Sequence, residues 1–313
     1  MFLQYFNYFL KVLKIGRNYG ILYLQGSFCE GIPAILANLF LRKKTVIRIG
    51  GIFSWELSVA KNWTKDGTDN FLKNKQSFFP EILKKIDWFV ISRCNQIIAN
   101  SQYTKKLLLL NGIPAAKINV IYNSVDEINF EKIDKDEYKK KNGFDGKKIM
   151  LSVGRFFPWK NFDKLINLFE KINDTYILLI IGDGPEKEKI KSVILDRNLG
   201  KRVFIINKMN RDDLYKIYQI TDLFALVSSF EGLSHTLIEA MRMNLPIIAS
   251  NIEANLEVLA GYNKSVCINI NDEEFKSAVA YLENNKLNSN GINLDKFNFI
   301  NTYNKTIDKL CKF

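Results

Sequence analysis

Residues 223–246 read Leu223-Phe224-Ala225-Leu226-Val227-Ser228-Ser229-Phe230-Glu231-Gly232-Leu233-Ser234-His235-Thr236-Leu237-Ile238-Glu239-Ala240-Met241-Arg242-Met243-Asn244-Leu245-Pro246. The apolar run 223–226 reads as a strand, the residues around Gly232 as a loop, and 235–243 as a helix that stops at Asn244 and Pro246. A strand that runs through a glycine-containing loop into a helix is the unit of open α/β sheets, which bind ligands at the carboxyl ends of their strands. Amides near 234–236, at the start of the helix, offer an anion site. Two carboxylates share the segment, Glu231 in the loop and Glu239 about one turn into the helix. Carboxylates do not favour a phosphate, but they accept charge-assisted hydrogen bonds from sugar hydroxyls.

The same alternation extends along the chain. In the second half, apolar runs at 149–153, 176–181, 203–206, 223–226, 246–249 and 266–268 read as strands, and amphipathic stretches such as 162–172 and 186–196 read as helices. In the first half, strands are expected at 21–25, 45–49, 96–99 and 119–122. A helix over 32–41 carries Pro33 in its first turn. Ser101 reads as the N-cap of a helix over 102–110, which Gly112 stops. The charged stretch 123–147, with Lys139-Lys140-Lys141, reads as a connector. The expected division is an acceptor-side domain at 1–125, a linker at 126–147, a donor-side domain at 148–296 and a terminal helix at 297–313 that packs back across the domains. The fold class is α/β, two Rossmann-like doubly wound domains. The first opens on a helical stretch and has fewer strands, so it is expected to lack its opening strands.

The chain has 313 residues, 47% apolar and 25% charged, which suits two globular domains and excludes a disordered or fibrous chain. No apolar run approaches the roughly 20 residues of a membrane span. The net charge of +12 is uneven: residues 1–125 hold 17 Lys and Arg against 6 Asp and Glu. That imbalance favours an acidic partner for the first half, and with no nucleic-acid motif or aromatic platform for bases, nucleic acid is not expected. Phe2, Phe6, Phe9, Leu10 and Leu13 form a helical stripe with Lys11, Lys14 and Arg17 nearby. It reads as a helix covering the sheet, with an interfacial helix on anionic lipid as the alternative. Cys29, Cys94, Cys267 and Cys311 are scattered, which fits a reducing, cytoplasmic setting and no zinc site. The N-terminus carries no small-residue cleavage site and does not read as a secretory signal. The one Asp-x-Asp, Asp134-Lys135-Asp136, lies in the connector and reads as solvated linker, so no metal is expected.

Glu231 and Glu239 stand in an E-x7-E pattern inside S-S-F-E-G-L-S-H-T-L-I-E-A-M, followed by L-P-I-I-A-S. This string resembles the retaining glycosyltransferases of the GT-B fold, particularly their family 4. Val153-Gly154-Arg155-Phe156-Phe157-Pro158-Trp159-Lys160-Asn161 is similar to the family's V-G-R-x4-K segment. The resemblance runs from about residue 19 to the end. It takes in Gly182-Asp183-Gly184-Pro185, read as a turn without chemistry, and the stretches 99–104 and 120–126. It implies that Glu239 binds the nucleotide ribose, that Glu231 lies against the donor sugar, and that Arg155 and Lys160 neutralise the diphosphate. Fixed cations there lower the barrier as negative charge develops on the leaving group.

Further donor contacts are implied for Gly232, Leu233, Ser234, His235 and Thr236, and by position for Asn207 and Lys208 beside the nucleobase. The family's frequent catalytic histidine has no counterpart, since Gly50-Gly51-Ile52-Phe53-Ser54-Trp55-Glu56 contains none. The implied activity is transfer of a sugar from a UDP- or GDP-sugar, with retention and without a metal. Expected acceptors are lipid-linked or saccharide acceptors of surface polysaccharide or lipopolysaccharide assembly, reached by peripheral contact with the inner face of the membrane. Two alternatives are a fragment that binds nucleotide sugar without turnover, and one that depends on another chain for the missing strands.

Overall fold

The structure is a computed structural model that describes residues 2–125, 131–285 and 294–311. Asp126, the last residue of one family-like stretch and the first of the expected linker, lies outside the described residues, as do the ends of the chain at 1 and 312–313. The chain forms two compact units, residues 1–124 with 296–313, and residues 125–295. Each is built on a parallel sheet.

The first unit carries β1 (Ile21–Leu24), β2 (Lys44–Ile49), β3 (Gln96–Ala99) and β4 (Ile118–Val120), hydrogen-bonded in the order β1-β2-β3-β4. The order does not reverse within this sheet. Its core joins Ile47, Ile49, Ile97 and Ala99 of the strands to Ala34 and Ile35 of the helix Gly31–Leu41 and to Val90 and Ile91 of the helix Phe78–Arg93. Ser101 caps the helix Gln102–Leu110 by accepting from the Thr104 amide, and Gly112 follows it with a φ of 78°. On the other face Leu310, from the helix Phe299–Cys311, packs against Val46, Ile98 and Ile121. Thr302 of that helix donates to the Tyr122 carbonyl at 3.0 Å. In the opening helix Phe2–Gly16, Phe9 and Leu13 are half-buried while Phe6 and Leu10 are exposed, so the expected stripe is only partly covered.

The second unit carries β5 (Lys148–Val153), β6 (Tyr176–Ile181), β7 (Val203–Ile206), β8 (Leu223–Leu226), β9 (Ile247–Ser250) and β10 (Ser265–Ile268), in the order β10-β9-β8-β5-β6-β7. The chain moves outward from β5 to β7, then returns to the other side of β5 and continues through β8 to β10. The order therefore reverses between β5 and β8. β6 is buried at every position, as a central strand covered on both faces requires.

The stretch read as a connector contains the helix Lys135–Lys141, which packs on the second unit. Asp134 caps it by accepting from the amides of Asp136 and Glu137, and Lys139 pairs with Asp222 at 2.9 Å. Asp134 is thus a helix cap and not merely solvated linker. Gln219 holds the preceding segment, accepting from the Ile133 amide and donating to the Glu131 carbonyl.

Phe156, fully buried beside Arg155, meets Phe162 edge-on with ring centroids 5.1 Å apart. It pins the loop after β5 to the core. Phe156→Ala is expected to lower the stability of the second unit by about 3–5 kcal/mol, read from the denaturant midpoint at unchanged slope. A loss below about 1 kcal/mol would show that the loop is held by other contacts.

Candidate functional site

The reversal places the carboxyl ends of β5 and β8 side by side, and the loops that leave them are tied together. Asn161, at the end of the first loop, adopts a φ of 53° and donates from Nδ2 to the Val227 carbonyl at 2.9 Å. The Ser229 amide donates to the Trp159 carbonyl at 2.8 Å. Between these two bonds Lys160 Nζ reaches Glu231 Oε1 at 2.6 Å, with the side chains only 16% and 8% exposed. A carboxylate so withdrawn from water requires a counter-charge, and Lys160 supplies it.

A second buttress comes from the loop after β6. The Phe156 amide donates to the Asp183 carbonyl at 2.9 Å, and the Glu186 amide donates to the Phe156 carbonyl at 3.0 Å. Gly182 and Gly184 have φ of 154° and 156°. A Cβ on Gly182 would stand 1.9 Å from the Gly154 carbonyl oxygen, and one on Gly184 would stand 2.7 Å from the backbone of Phe156. The Gly-Asp-Gly turn, read from sequence as chemically silent, thus sets the path of the segment that presents Arg155. The Arg155 side chain is exposed and its guanidinium lies over the Phe157 ring at 4.6 Å.

On the β8 side, Ser234 caps the helix His235–Arg242, with its Oγ accepting from the Leu237 amide at 3.4 Å. The helix's own ladder begins with the Ile238 amide donating to the Ser234 carbonyl, so the amides of residues 235 and 236 precede it. His235 is exposed, while Gly232, Leu233 and Ser234 are buried and Thr236 is half-buried. Glu239 lies farther along this helix and accepts from the Tyr218 hydroxyl at 3.1 Å. Burial pushes its carboxyl above the usual range, and the Tyr218 bond and the Arg211 charge pull back against that rise. Tyr218, from the helix Arg211–Ile220, is fully buried, and its hydroxyl is held well above its ordinary range by burial and by Glu239.

The structure thus brings Lys160 and Glu231 into contact and sets residues 232–236 and Glu239 along the same loop and helix. Asn207 and Lys208 are exposed at the end of β7, and Asn207 accepts from Lys187 at 2.7 Å. Their place beside the site rests on the strand order alone. Three contributors were missed from sequence. Tyr218 looks like any core aromatic on an amphipathic helix. Asn161 stands in the quoted V-G-R-x4-K stretch without an assigned role. The Gly-Asp-Gly turn gives no sign of the loop it leans on.

A model of the glycosyl transferases group 1 family matches residues 134–295, and one of Glycosyltransferase Family 4 matches residues 2–127. An uncharacterized glycosyltransferase of Methanocaldococcus jannaschii is 28% identical over 255 residues, 76% of this chain and 64% of that protein. The N-acetylgalactosamine-N,N'-diacetylbacillosaminyl-diphospho-undecaprenol 4-alpha-N-acetylgalactosaminyltransferase of Campylobacter jejuni is 25% identical over 224 residues, 70% of this chain and 60% of that protein. The chain thus spans less than two thirds of the length of these relatives. Among solved structures, HepE of Anabaena in complex with UDP and glucose superposes with a TM-score of 0.80 at 18% identity, over 97% of this chain and 81% of that one. That likeness is one of fold.

Gly182→Ala tests the buttress. It is expected to cost about 2–4 kcal/mol, whereas Gly67→Ala, where an added Cβ meets nothing within 4 Å, should stay within about 0.5 kcal/mol. Equal melting temperatures for the two variants would remove the Gly-Asp-Gly turn from the account.

Proposed function

The chain belongs to the glycosyl transferases group 1 family, and we propose that it transfers a sugar from a nucleoside diphosphate sugar to an acceptor hydroxyl with retention of configuration. The observation that carries this reading is the pairing of Lys160 with Glu231 at the reversal point of the second sheet, beside a capped helix start and an exposed arginine. Cations and helix amides suit a diphosphate, and carboxylates suit the hydroxyls of ribose and sugar. Glu239 accepts from the ribose, and Glu231 faces the donor sugar. Arg155 and Lys160 hold the diphosphate, so no metal is required. Ser234, Thr236 and the amide of His235 contact the phosphates, Gly232 and Leu233 shape the loop against the donor, and Asn207 and Lys208 line the side of the base.

In this mechanism the acceptor oxygen forms a bond to the anomeric carbon as the bond from that carbon to the β-phosphate oxygen breaks. The acceptor's proton passes to the departing phosphate. Arg155 and Lys160 stabilise the charge that develops there. The Campylobacter relative's name specifies an acceptor linked to undecaprenol through a diphosphate, which supports a lipid-linked saccharide as the acceptor class, and relatives named for O-antigen synthesis support surface polysaccharide assembly as the setting. No helix among the described residues is long and apolar enough to cross a membrane, so contact with such an acceptor is taken to be peripheral, at the inner face. A second reading, donor binding without turnover, is favoured by the absence of histidine from residues 50–56.

Released UDP or GDP, measured with a panel of nucleotide sugars and a lipid-linked acceptor, separates the two. Turnover is expected, with Arg155→Ala lowering kcat by about 10²–10³. Glu239→Gln is expected to weaken nucleotide affinity by about tenfold or more. Nucleotide affinity unchanged by Glu239→Gln, or turnover unchanged by Arg155→Ala, would contradict the site. Binding without turnover would favour the second reading.

The raised pKa of Glu239 gives a pH signature. Only the ionised carboxylate accepts from both ribose hydroxyls, so affinity should be full at neutral pH. It should fall as pH drops through a midpoint above the ordinary glutamate value of about 4.3. Glu239→Gln should flatten that profile in calorimetric titrations of UDP, and an unflattened profile would assign the dependence elsewhere.

A further inference from the structure

We infer that Phe157, backed by Trp159, is a positioning residue that holds the Arg155 guanidinium for the diphosphate without neutralising it. The inference rests on the proposed donor reading and adds a residue to it. Phe156 is fully buried, and the Phe157 amide donates to the Arg155 carbonyl at 2.8 Å. That three-residue turn keeps the two outer side chains together. Arg155 Cζ lies 4.6 Å from the centroid of the Phe157 ring, and this half-buried ring stacks on Trp159 with centroids 4.6 Å apart and planes 3° from parallel. The ring that meets the cation is therefore itself held by a buried one, since Trp159 is only 8% exposed.

The stack is fixed through the backbone. The Trp159 carbonyl accepts from the Ser229 amide at 2.8 Å and from the Ser229 hydroxyl at 3.3 Å. Pro158 restricts the backbone between the two rings, and the Lys160 amide donates to the Phe157 carbonyl at 3.0 Å. The place of the Phe157 ring is thus set where the loops after β5 and β8 meet, by the contacts that also set Lys160 and Glu231.

The two cations of the site are held in different ways. Lys160 is paired with Glu231, which places the ammonium and cancels much of its charge. The Arg155 guanidinium makes no ion pair or side-chain hydrogen bond with any described residue, and its contact is the Phe157 ring. An aromatic face attracts a guanidinium through its quadrupole and leaves both the charge and the in-plane N–H donors free. The face of the guanidinium stays on the ring while its edge forks onto phosphate oxygens. A carboxylate in the place of Phe157 would compete with the diphosphate for the same donors. Ordering an exposed arginine before the ligand arrives also lowers the entropy lost on binding.

The test is calorimetric titration of the full chain with UDP and UMP, and with GDP and GMP, for the wild type, Phe157→Leu, Phe157→Tyr, Arg155→Ala and the double variant Phe157→Leu with Arg155→Ala. Phe157→Leu should weaken the diphosphate about two- to fivefold, the range of an exposed cation–π contact. It should leave the monophosphate unchanged, because Arg155 is assigned to the charge on the β-phosphate. Phe157→Tyr keeps the ring face and should retain wild-type affinity. In the Arg155→Ala background Phe157→Leu should change nothing, a silence that a merely loosened loop would not produce. Equal losses for diphosphate and monophosphate, or a loss that persists without Arg155, would overturn the inference. So would wild-type affinity in Phe157→Leu, or a gain in affinity showing that the ring withholds the arginine. Diphosphate affinity unchanged by Arg155→Ala would remove the donor reading itself, whereas a loss with Arg155→Ala and none with Phe157→Leu would remove this inference alone.

Discussion

Strands β5 and β8 are neighbours in the sheet although β6 and β7 lie between them in sequence. A parallel sheet that grows first to one side and then to the other leaves the loops of its two central strands diverging above their carboxyl ends. In this chain the divergence is bridged by Asn161 to the Val227 carbonyl, by the Ser229 amide to the Trp159 carbonyl, and by Lys160 to Glu231. The groups proposed for the diphosphate, the sugar and the ribose depend on that arrangement. Arg155 and Lys160 come from one loop, Glu231 from the other, and Glu239 from the helix that follows it.

Charge makes the arrangement more than a crevice. Glu231 is withdrawn from solvent and satisfied by Lys160, so both partners are held in place before any ligand arrives. Glu239 is kept basic by burial and aimed by the Tyr218 hydroxyl. Preorganised groups of this kind lose little order on binding, and this is where electrostatic catalysis draws its strength. The backbone supports them on the other side, where Gly182 and Gly184 let the loop after β6 press against residues 154–156 without a Cβ between them.

Much of the second unit was legible because its strands are continuous apolar runs. β6, β7 and β8 begin and end where the hydrophobic pattern does, β5 and β10 begin one residue earlier, and β9 is shifted by one residue at both ends. The E-x7-E string and the arginine and lysine after β5 were legible as well, since their spacing lies within single loop-and-helix segments. What escaped were contacts between segments distant in sequence, such as Tyr218 with Glu239 and Asn161 with Val227. The helix Lys135–Lys141 escaped because it has no buried residue to mark a face.

The helix Phe78–Arg93 escaped for a more telling reason. It buries Asp87 with Pro80, Val90 and Ile91 and exposes Phe78, Phe79 and Trp88, so apolar residues lie on both its sides and the pattern does not mark the inner one.

The first sheet differs in kind from the second. Among the described residues its strands follow one another in order, with no reversal between β1 and β4. The proposed donor site lies wholly within residues 125–295. A crystal structure of the chain grown with UDP tests this most directly. The account predicts the diphosphate at the amides of residues 235 and 236 with Arg155 and Lys160 turned onto it, and both ribose hydroxyls on Glu239. A nucleotide bound elsewhere, or bound here with its ribose away from Glu239, would contradict it.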